Sequence, residues 1–324
     1  MLPRPFAGMP HAAQNRKGQG MAGRLLTIGE CMVELMQAEG GLLRKSFAGD
    51  TFNTAYYARH YLPADWTVDY FSAVGSDAIS GEMLTFMQGH GIGTDHVRRI
   101  EGLSPGLYMI HLKDGERSFS YWRSASAARL LARDGDRLRA AVDISDILVF
   151  SGITLAILPP EDVETLLAEL RRAKAAGKRI VFDPNIRPRL WDDADRMRET
   201  ISAGARAATL VMPSLDDETT HFGDASIDET IARYRSLGVA GIVVKDGDKG
   251  ATLDFSGERT HVPSAKAEAI VDTTSAGDSF NGAFLARLAT GATPEAAARF
   301  AAAVAAAVIQ HHGALVAGEK LPAA

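Results

Sequence analysis

The chain has 324 residues, of which 46% are hydrophobic and 23% are charged, as in an ordinary globular protein with one sizeable core. Its 40 acidic and 35 basic residues give a formal net charge of −5, which argues against a nucleic-acid partner because phosphate backbones attract basic surfaces. The single cysteine, Cys31, excludes an internal disulfide and a cysteine-rich zinc site. We therefore expect a cytoplasmic protein with a buried, structural thiol.

Both ends of the chain are predicted to be tails outside one ordered domain, residues 24–318. Residues 1–23 hold Pro, Gly and scattered basic residues without the apolar stretch of a signal peptide, and we expect them to be disordered. Residues 319–324 are the second predicted tail. The most apolar late stretch, 300–309, is mostly alanine and too short to span a bilayer, so no membrane partner is expected.

The first part of the domain contains several extended segments. Residues 107–112 alternate between apolar and polar, an Asp-Gly turn follows, and 118–122 resume the extended pattern, which predicts a β-hairpin. We expect the segments near 31–48 and 105–124 to form a small β-rich lid. The other elements predicted here are strands at 25–28, 33–36 and 68–74 and helices at 51–61 and 81–90.

From about residue 140 the pattern alternates between strand and helix. Such alternation predicts a mostly parallel sheet with helices on both faces, because parallel strands need crossover connections. The fold class is therefore α/β, as one main domain. The predicted elements are strands at 146–150, 178–182, 210–212 and 241–244 and helices at 160–176, 196–207 and 228–237.

Residues 272–284 carry the clearest chemical signal, because small residues there lead from a strand-like run at 269–271 into a helix. Ser275 and its neighbours let a ligand approach the backbone, and a serine at this tight turn is tolerable if its φ stays negative. Free N–H groups at a helix start attract anions, and Asp278 lies in the same turn. A carboxylate beside an anion site suits a base in phosphoryl transfer; the alternative is a carboxylate that only stabilises the helix dipole. The length of the whole string favours the base.

This segment resembles the C-terminal signature of the ribokinase-like carbohydrate kinases, the pfkB family. The resemblance implies a three-layer α/β/α domain, ATP and Mg²⁺, and Asp278 as catalytic base. It also implies that amides of Ser275, Ala276 and Gly277 hold the transferred group. A Walker-type phosphate loop is absent from the sequence, which disfavours a P-loop kinase.

A second resemblance to this family lies at residues 48–55, where Gly49 lets a polyol approach and Asp50 and Asn53 bind its hydroxyls. The alternative interpretation is that Asp50 or Thr51 caps the following helix, and both functions are compatible.

The nucleotide side is assigned from further resemblances. A strand followed by glycines at 243–250 is similar to the family's nucleotide loop, and Ser214 and Asp217 have the spacing of a motif that acts near magnesium through water, with Glu218 adjacent. A capped, acidic helix start is the equal alternative for these three residues. The residues expected on the nucleotide side are Asn185, Ser214, Lys245, Gly247, Gly250, Ser275 and Gly277.

Segments 29–35, 106–108, 119–123, 151–156 and 182–191 resemble the branch of the family that phosphorylates keto-deoxy sugar acids. A sugar acid needs a cation for its carboxylate, and Arg123 or Arg187 offers a forked donor. Arg187 also suits the γ-phosphate. Tyr108 and Tyr121 are expected to close over the ligand and hydrogen-bond its oxygens.

Together these resemblances imply ATP-dependent phosphorylation of the C6 hydroxyl of 2-keto-3-deoxygluconate. One alternative is a kinase of the same fold for a neutral sugar, such as a fructokinase or ribokinase, and another is a sugar-acid sensor without catalysis. Exposed strand edges on the lid favour a homodimer.

Overall fold

Short apolar runs, bounded by glycine or polar turns, form the strands of the protein. The structure is a computed structural model that describes residues 22–113 and 116–323. The strands in chain order are β1 (Arg24–Ile28), β2 (Met32–Gln37), β3 (Leu43–Ala48), β4 (Thr67–Gly75), β5 (Val97–Ile100), β6 (Leu107–Lys113), β7 (Glu116–Trp122), β8 (Ile147–Ser151), β9 (Arg179–Asp183), β10 (Leu210–Val211), β11 (Gly241–Lys245), β12 (Ala251–Phe255) and β13 (Glu258–Val262).

A nine-stranded sheet in the order β13-β12-β11-β10-β9-β8-β1-β4-β5 forms the centre of the molecule. Its strands from β11 to β5 are parallel, whereas β12 and β13 extend one edge as an antiparallel hairpin. The carboxyl ends of the parallel strands therefore meet at one edge of the sheet, which is where ligands bind in open α/β sheets.

Helices cover both faces of this sheet, as the alternation of strands and helices predicts. Leu25 points into one core cluster and its neighbour Leu26 into the other, since successive strand residues face opposite sides. Helices α1, α2, α9 and α10 pack on the first face and α3 to α8 on the second. The helices are α1 (Asp50–Tyr61), α2 (Ala78–Gly89), α3 (Gly135–Ile144), α4 (Gly152–Ile157), α5 (Pro160–Ala175), α6 (Ala194–Ala207), α7 (Leu215–Phe222), α8 (Ile227–Ser236), α9 (Ala276–Ala289) and α10 (Pro294–Val308).

A second, four-stranded sheet in the order β3-β2-β6-β7 consists of the segments predicted to form the lid. Strands β6 and β7 form the expected hairpin, with Tyr108 opposite Tyr121. Its predicted turn at 114–115 lies outside the described residues. We call these four strands the small sheet.

Two predictions for the ends of the chain are wrong in part. Residues 1–21 lie outside the described part of the chain, but the carbonyl of Gly23 accepts a hydrogen bond from Thr67 N, so the ordered structure begins before residue 24. The predicted tail at 319–324 is packed at Leu321, which is only 9% exposed because it joins the core beneath α1. None of the helices in the described ranges is long and apolar enough to cross a membrane.

The strand-like run at 269–271 is also not a strand. Ile270 is 74% exposed, and the backbone N–H of Val271 donates to the carbonyl of Ile309 after α10 instead of to a strand. The physical reason is that the sheet already ends at β13, so the segment crosses to the end of α10 without a strand partner. Cys31 is buried, as predicted.

Candidate active site

Asp278 lies in the first turn of α9, at the edge of the sheet where the parallel strands end. Its side-chain Oδ2 accepts a hydrogen bond from Asn53 Nδ2 at 2.8 Å. Burial of the carboxyl, followed by the nearby charge of Asp50, raises the pKa of Asp278 to about 7, while the hydrogen bond from Asn53 lowers it. A carboxylate with this pKa can accept a proton near neutral pH.

The turn before α9 differs from the expected geometry at Ser275. Its φ is +64°, in the left-handed region, so the condition that its φ stays negative is not met. Ser275 is the last residue before α9, and its left-handed conformation turns the chain into the helix. The side chain consequently does not cap the helix, and its buried Oγ has no hydrogen-bond partner in the structure.

Lys245 reaches this turn from the end of β11. A Cβ added to Gly277 would lie 3.5 Å from Lys245 Nζ, so the ammonium group is next to the first turn of α9. Lys245 Nζ is held by Asp183 Oδ2 (2.9 Å) and Asn281 Oδ1 (3.2 Å), and Asn281 Nδ2 donates to the same Asp183 oxygen (2.6 Å). The cation and the free N–H groups of a helix start together favour an anion such as a phosphate.

Asp50 and Asn185 form the other wall of the site. Asn185 Nδ2 donates to Asp50 Oδ2 at 2.8 Å, and Asp50 Oδ1 accepts from Thr51 N. Asn185 was expected on the nucleotide side, and its side chain lies against Asp50, the predicted sugar-binding residue. Its φ of +35° is strained for a residue with a side chain, which is common at functional sites. Thr51 does not cap α1, because its hydroxyl pairs with Tyr70.

Arg187 and Asp217 lie beside this wall. Asp217 Oδ2 accepts a hydrogen bond from Ile186 N at 3.2 Å, and burial raises the pKa of Asp217 while Arg187 lowers it. Ser214 precedes α7 and pairs as a bridge with Lys245 at the end of β11. A carboxylate near the phosphates fits Mg²⁺, which prefers oxygen ligands and keeps several waters. Among the described residues, no group of three or more His, Cys, Asp or Glu side chains is arranged to hold a metal ion directly.

Glu218 does not face the site, which corrects its assignment near magnesium. Its side chain is fully buried between α7 and α8, where Tyr234 OH donates to Oε1 at 2.8 Å and Arg233 pairs with Oε2. Successive residues of a helix point about 100° apart, so Glu218 cannot share the direction of Asp217. Burial raises the pKa of Glu218 to about 7.

Arg123, Tyr108 and Tyr121 lie on or next to the small sheet, and they differ in burial and in their partners. Arg123 follows β7 and forms an ion pair with Glu30, whose side chain is almost fully buried. The Nε–H of Arg123 has no hydrogen-bond partner. Tyr108 is only 8% exposed and its hydroxyl donates to Glu34, so the expectation that this hydroxyl faces the ligand is wrong. Tyr121 is 42% exposed and has the guanidinium of Arg189 over its ring at 5.3 Å.

The glycines of the predicted nucleotide loop form the turn between β11 and β12. Gly247 and Gly250 both have positive φ, +49° and +102°. A Cβ at Gly250 would lie 2.1 Å from the carbonyl of Val262, so this glycine is required by the close approach of β13. The turn continues directly from Lys245.

The structure thus brings together Gly49, Asp50, Asn53, Asn185, Lys245 and the turn 275–278, and it leaves Glu218 and the Tyr108 hydroxyl outside this group. Sequence analysis missed Asp183, Asn281, Glu30 and Arg189. Asp183 and Asn281 lie 98 residues apart in the sequence. The signal that could have found them is that Asp183 ends a strand of the sheet and Asn281 lies one helical turn after Asp278.

Comparison with known proteins agrees with this arrangement. The model of the pfkB family carbohydrate kinases matches residues 23–320. The chain is 37% identical to the 2-dehydro-3-deoxygluconokinase of Escherichia coli K12 over 310 residues, which are 94% of this chain and 100% of that protein. It is 26% identical to the crystal structure of a PfkB protein from Polaromonas sp. JS666, with a TM-score of 0.78 over 89% of this chain and 96% of that one.

A fructokinase from Xylella fastidiosa, crystallised with bound ATP, has the same fold, with a TM-score of 0.80 at 23% identity over 92% of this chain and 95% of that one. The domain is therefore ribokinase-like, with three layers and a small additional sheet. The family model spans nearly all of the described residues, including both walls of the site. The chain belongs to the pfkB family of carbohydrate kinases.

Proposed function

We propose that this protein transfers the γ-phosphoryl group of ATP to the C6 hydroxyl of 2-keto-3-deoxygluconate and forms 2-keto-3-deoxy-6-phosphogluconate. The observation that carries the proposal is Asp278, a desolvated carboxylate at a helix start with Lys245 beside it. The substrate class is supported by the 2-dehydro-3-deoxygluconokinase of E. coli, which matches along its whole length.

In this mechanism Asp278 accepts the proton of the C6 hydroxyl, which then attacks the γ-phosphate in line. The amides of Ser275 and Gly277 and the ammonium group of Lys245 stabilise the charge of the transferred group. The N–H of Ala276 already donates to the carbonyl of Thr273 (3.2 Å) and is left out of this set. Mg²⁺, when bound, neutralises phosphate charge, and Asp217 is the residue suited to hold its water shell. The nucleotide is bordered by Ser214 and by the turn that contains Gly247 and Gly250.

The sugar acid lies between Asp50 and the small sheet, which acts as a lid that excludes water. Gly49, Asp50 and Asn185 bind its hydroxyls. The unpaired Nε–H of Arg123 and the exposed guanidinium of Arg187 are donors for its carboxylate. Tyr121 covers the ligand from the small sheet. Dimerisation through the small sheet and a cytoplasmic location belong to the same proposal.

The test is Asp278→Asn, assayed by ATP consumption in the presence of the sugar acid. We expect turnover to fall by a factor of about 10³ or more, because the base is lost, while binding of the sugar acid by calorimetry is retained. In the wild type, kcat/KM should rise as the pH increases through about 7, since the carboxyl of Asp278 must lose its proton to act. Retained turnover in the variant would contradict the proposal.

One observation favours a second candidate, a kinase of a neutral sugar. Glu30 already neutralises the charge of Arg123, so this arginine adds no net charge to the site. A panel of 2-keto-3-deoxygluconate, fructose and ribose separates the two candidates. We expect kcat/KM to be higher for the sugar acid by a factor of at least about 100, and Arg187→Met to reduce this preference. A higher value for fructose or ribose would favour the neutral sugar.

A further inference from the structure

Asn53 makes a buried contact with the proposed base. It lies in the first turns of α1 and is only 4% exposed, and its Nδ2 is 2.8 Å from Asp278 Oδ2. The two residues are 225 positions apart, so this contact joins helix α1 to helix α9. The sequence predicts a different role for Asn53, the binding of a sugar hydroxyl.

The orientation of the Asn53 amide is determined by a second contact. Its Oδ1 is 3.3 Å from the backbone nitrogen of Gly49, which can only donate a hydrogen bond. The carbonyl end of the amide therefore faces Gly49 and the NH₂ end faces Asp278. The backbone of Gly49 is held in turn, because Asn53 N donates to its carbonyl at 2.7 Å and a Cβ at this position would lie 2.2 Å from the carbonyl of Glu30.

We infer that Asn53 is a positioning residue for the base: it holds Asp278 by Oδ2 and leaves Oδ1 directed at the hydroxyl that is phosphorylated. This inference rests on the proposed function, in which Asp278 accepts the proton. An amide fixed at both ends allows the carboxylate one orientation only. Positioning of this kind contributes to rate because the reacting atoms must lie within a few tenths of an ångström of their productive geometry.

Charged groups on three other parts of the fold also face the base. Asp50 at the start of α1 and Asp183 at the end of β9 raise the pKa of Asp278, whereas Lys245 at the end of β11 lowers it. Burial is the main cause that raises the pKa of the Tyr57 phenol on α1, and the nearby charge of Asp278 adds to it. Among these groups Asn53 is the neutral donor in direct contact with the carboxylate, so its removal changes the proton affinity of the base without changing the net charge.

The experiment is the pH profile of kcat/KM for the sugar acid, measured for Asn53→Ala and Asn53→Asp with saturating ATP. The acid limb of this profile reports the pKa of the free enzyme's base. Asn53→Ala removes the donor, and we expect the acid limb to shift to higher pH by about 0.5 to 1 unit. The kcat should fall by about 10-fold or more. Asn53→Asp places a like charge against the base and should move the limb further, by more than about 1 unit.

Thr54→Val is the matched control. Thr54 is the next residue of α1, and its hydroxyl contacts the backbone carbonyl of Asp278 at 3.4 Å, not the carboxylate. We expect its acid limb to coincide with that of the wild type. If Asn53→Asp does not fold, as judged by its thermal unfolding, Asn53→Ala decides the question alone.

Two outcomes separate this inference from the proposed function. If both Asn53 variants raise KM for the sugar acid but leave kcat and the acid limb unchanged, Asn53 only binds substrate and the inference is wrong. If Asp278→Asn keeps its turnover, the proposed function itself is wrong. An inactive Asp278→Asn together with a shifted limb in both Asn53 variants supports both.

Discussion

At the scale of a single residue, Ser275 has two features that lower the stability of the folded protein. Its backbone has a left-handed φ of +64°, which costs a residue with a side chain about 1 kcal/mol, and its buried hydroxyl has no partner. We expect Ser275→Gly to increase the free energy of unfolding by about 1–2 kcal/mol, measured in urea. Ser275→Ala removes the hydroxyl but keeps the strained backbone, so it should gain less. An equal gain in both variants would show that the backbone is not strained.

Asp217 and Glu218 are neighbours with opposite surroundings. We expect Glu218→Ala to destabilise the protein by about 3 kcal/mol, because it leaves the buried Tyr234 hydroxyl without its acceptor and removes one of the two carboxylates that pair with the half-buried Arg233. Asp217→Asn should raise the Mg²⁺ concentration needed for half-maximal activity several-fold with little change in stability. Thermal unfolding and magnesium titration distinguish the two, and a changed magnesium requirement in Glu218→Ala would restore its predicted role.

At the scale of elements, one buried carboxylate links three of the four strands of the small sheet. Glu34 on β2 accepts hydrogen bonds from Ser46 on β3 (2.7 Å) and from Tyr108 on β6. Glu34→Ala leaves both hydroxyls without this acceptor, at a cost of about 1–3 kcal/mol for the buried Tyr108 hydroxyl and less for the half-buried Ser46. We expect faster amide hydrogen exchange in β2, β3, β6 and β7 and unchanged exchange in β8 to β11. Exchange that rises equally in both sheets would contradict this prediction.

Much of the sheet could be predicted from the sequence, because β8 to β11 are short apolar runs separated by amphipathic helices such as α5. Elements whose pattern is weak were missed. The sequence of β13 is mostly polar and exposed, without a regular apolar alternation, and it is a strand only because β12 offers it hydrogen bonds. The run at 269–271 has the opposite property, since it is apolar but has no strand beside it.

The same limit applies to the site. Asp278, Lys245 and Asp50 stand out in the sequence because each follows or begins an element near glycine. Their partners do not, because a pairing such as Asn53 with Asp278 depends on how α1 packs against α9. The left-handed conformation of Ser275 was likewise not predictable, since serine rarely adopts it.

At the scale of the whole molecule, the last residues hold helix α1 in place. Tyr57 OH donates to the carbonyl of Ala314 (2.8 Å) and accepts from Val316 N (3.1 Å), while Tyr61 OH donates to Pro322 O (3.2 Å). Val316 and Leu321 also join the core beneath α1. Because α1 begins with Asp50 and contains Asn53, the site depends on this final segment.

We therefore expect deletion of residues 314–324 to reduce the free energy of unfolding by at least about 3 kcal/mol, from the loss of two buried aliphatic side chains. The kcat should fall with it, because α1 loses its support. Deletion of residues 323–324 alone, which keeps Tyr61 paired with Pro322, is the control. Denaturant unfolding and steady-state kinetics measure both effects, and a fully stable deletion variant would contradict the prediction.

The strand order of the large sheet has a consequence for how the protein is made. β8, β9, β10, β11, β12 and β13 lie side by side in the order in which they leave the ribosome, so each new strand finds its neighbour already in place. At roughly 5–20 residues per second, synthesis lasts about 15–65 seconds, and the sheet can grow during that time. Helix α9 emerges after every strand in the described part of the chain. The nascent chain therefore acquires Asp278, the proposed base, only when the strands of both sheets have already been synthesised.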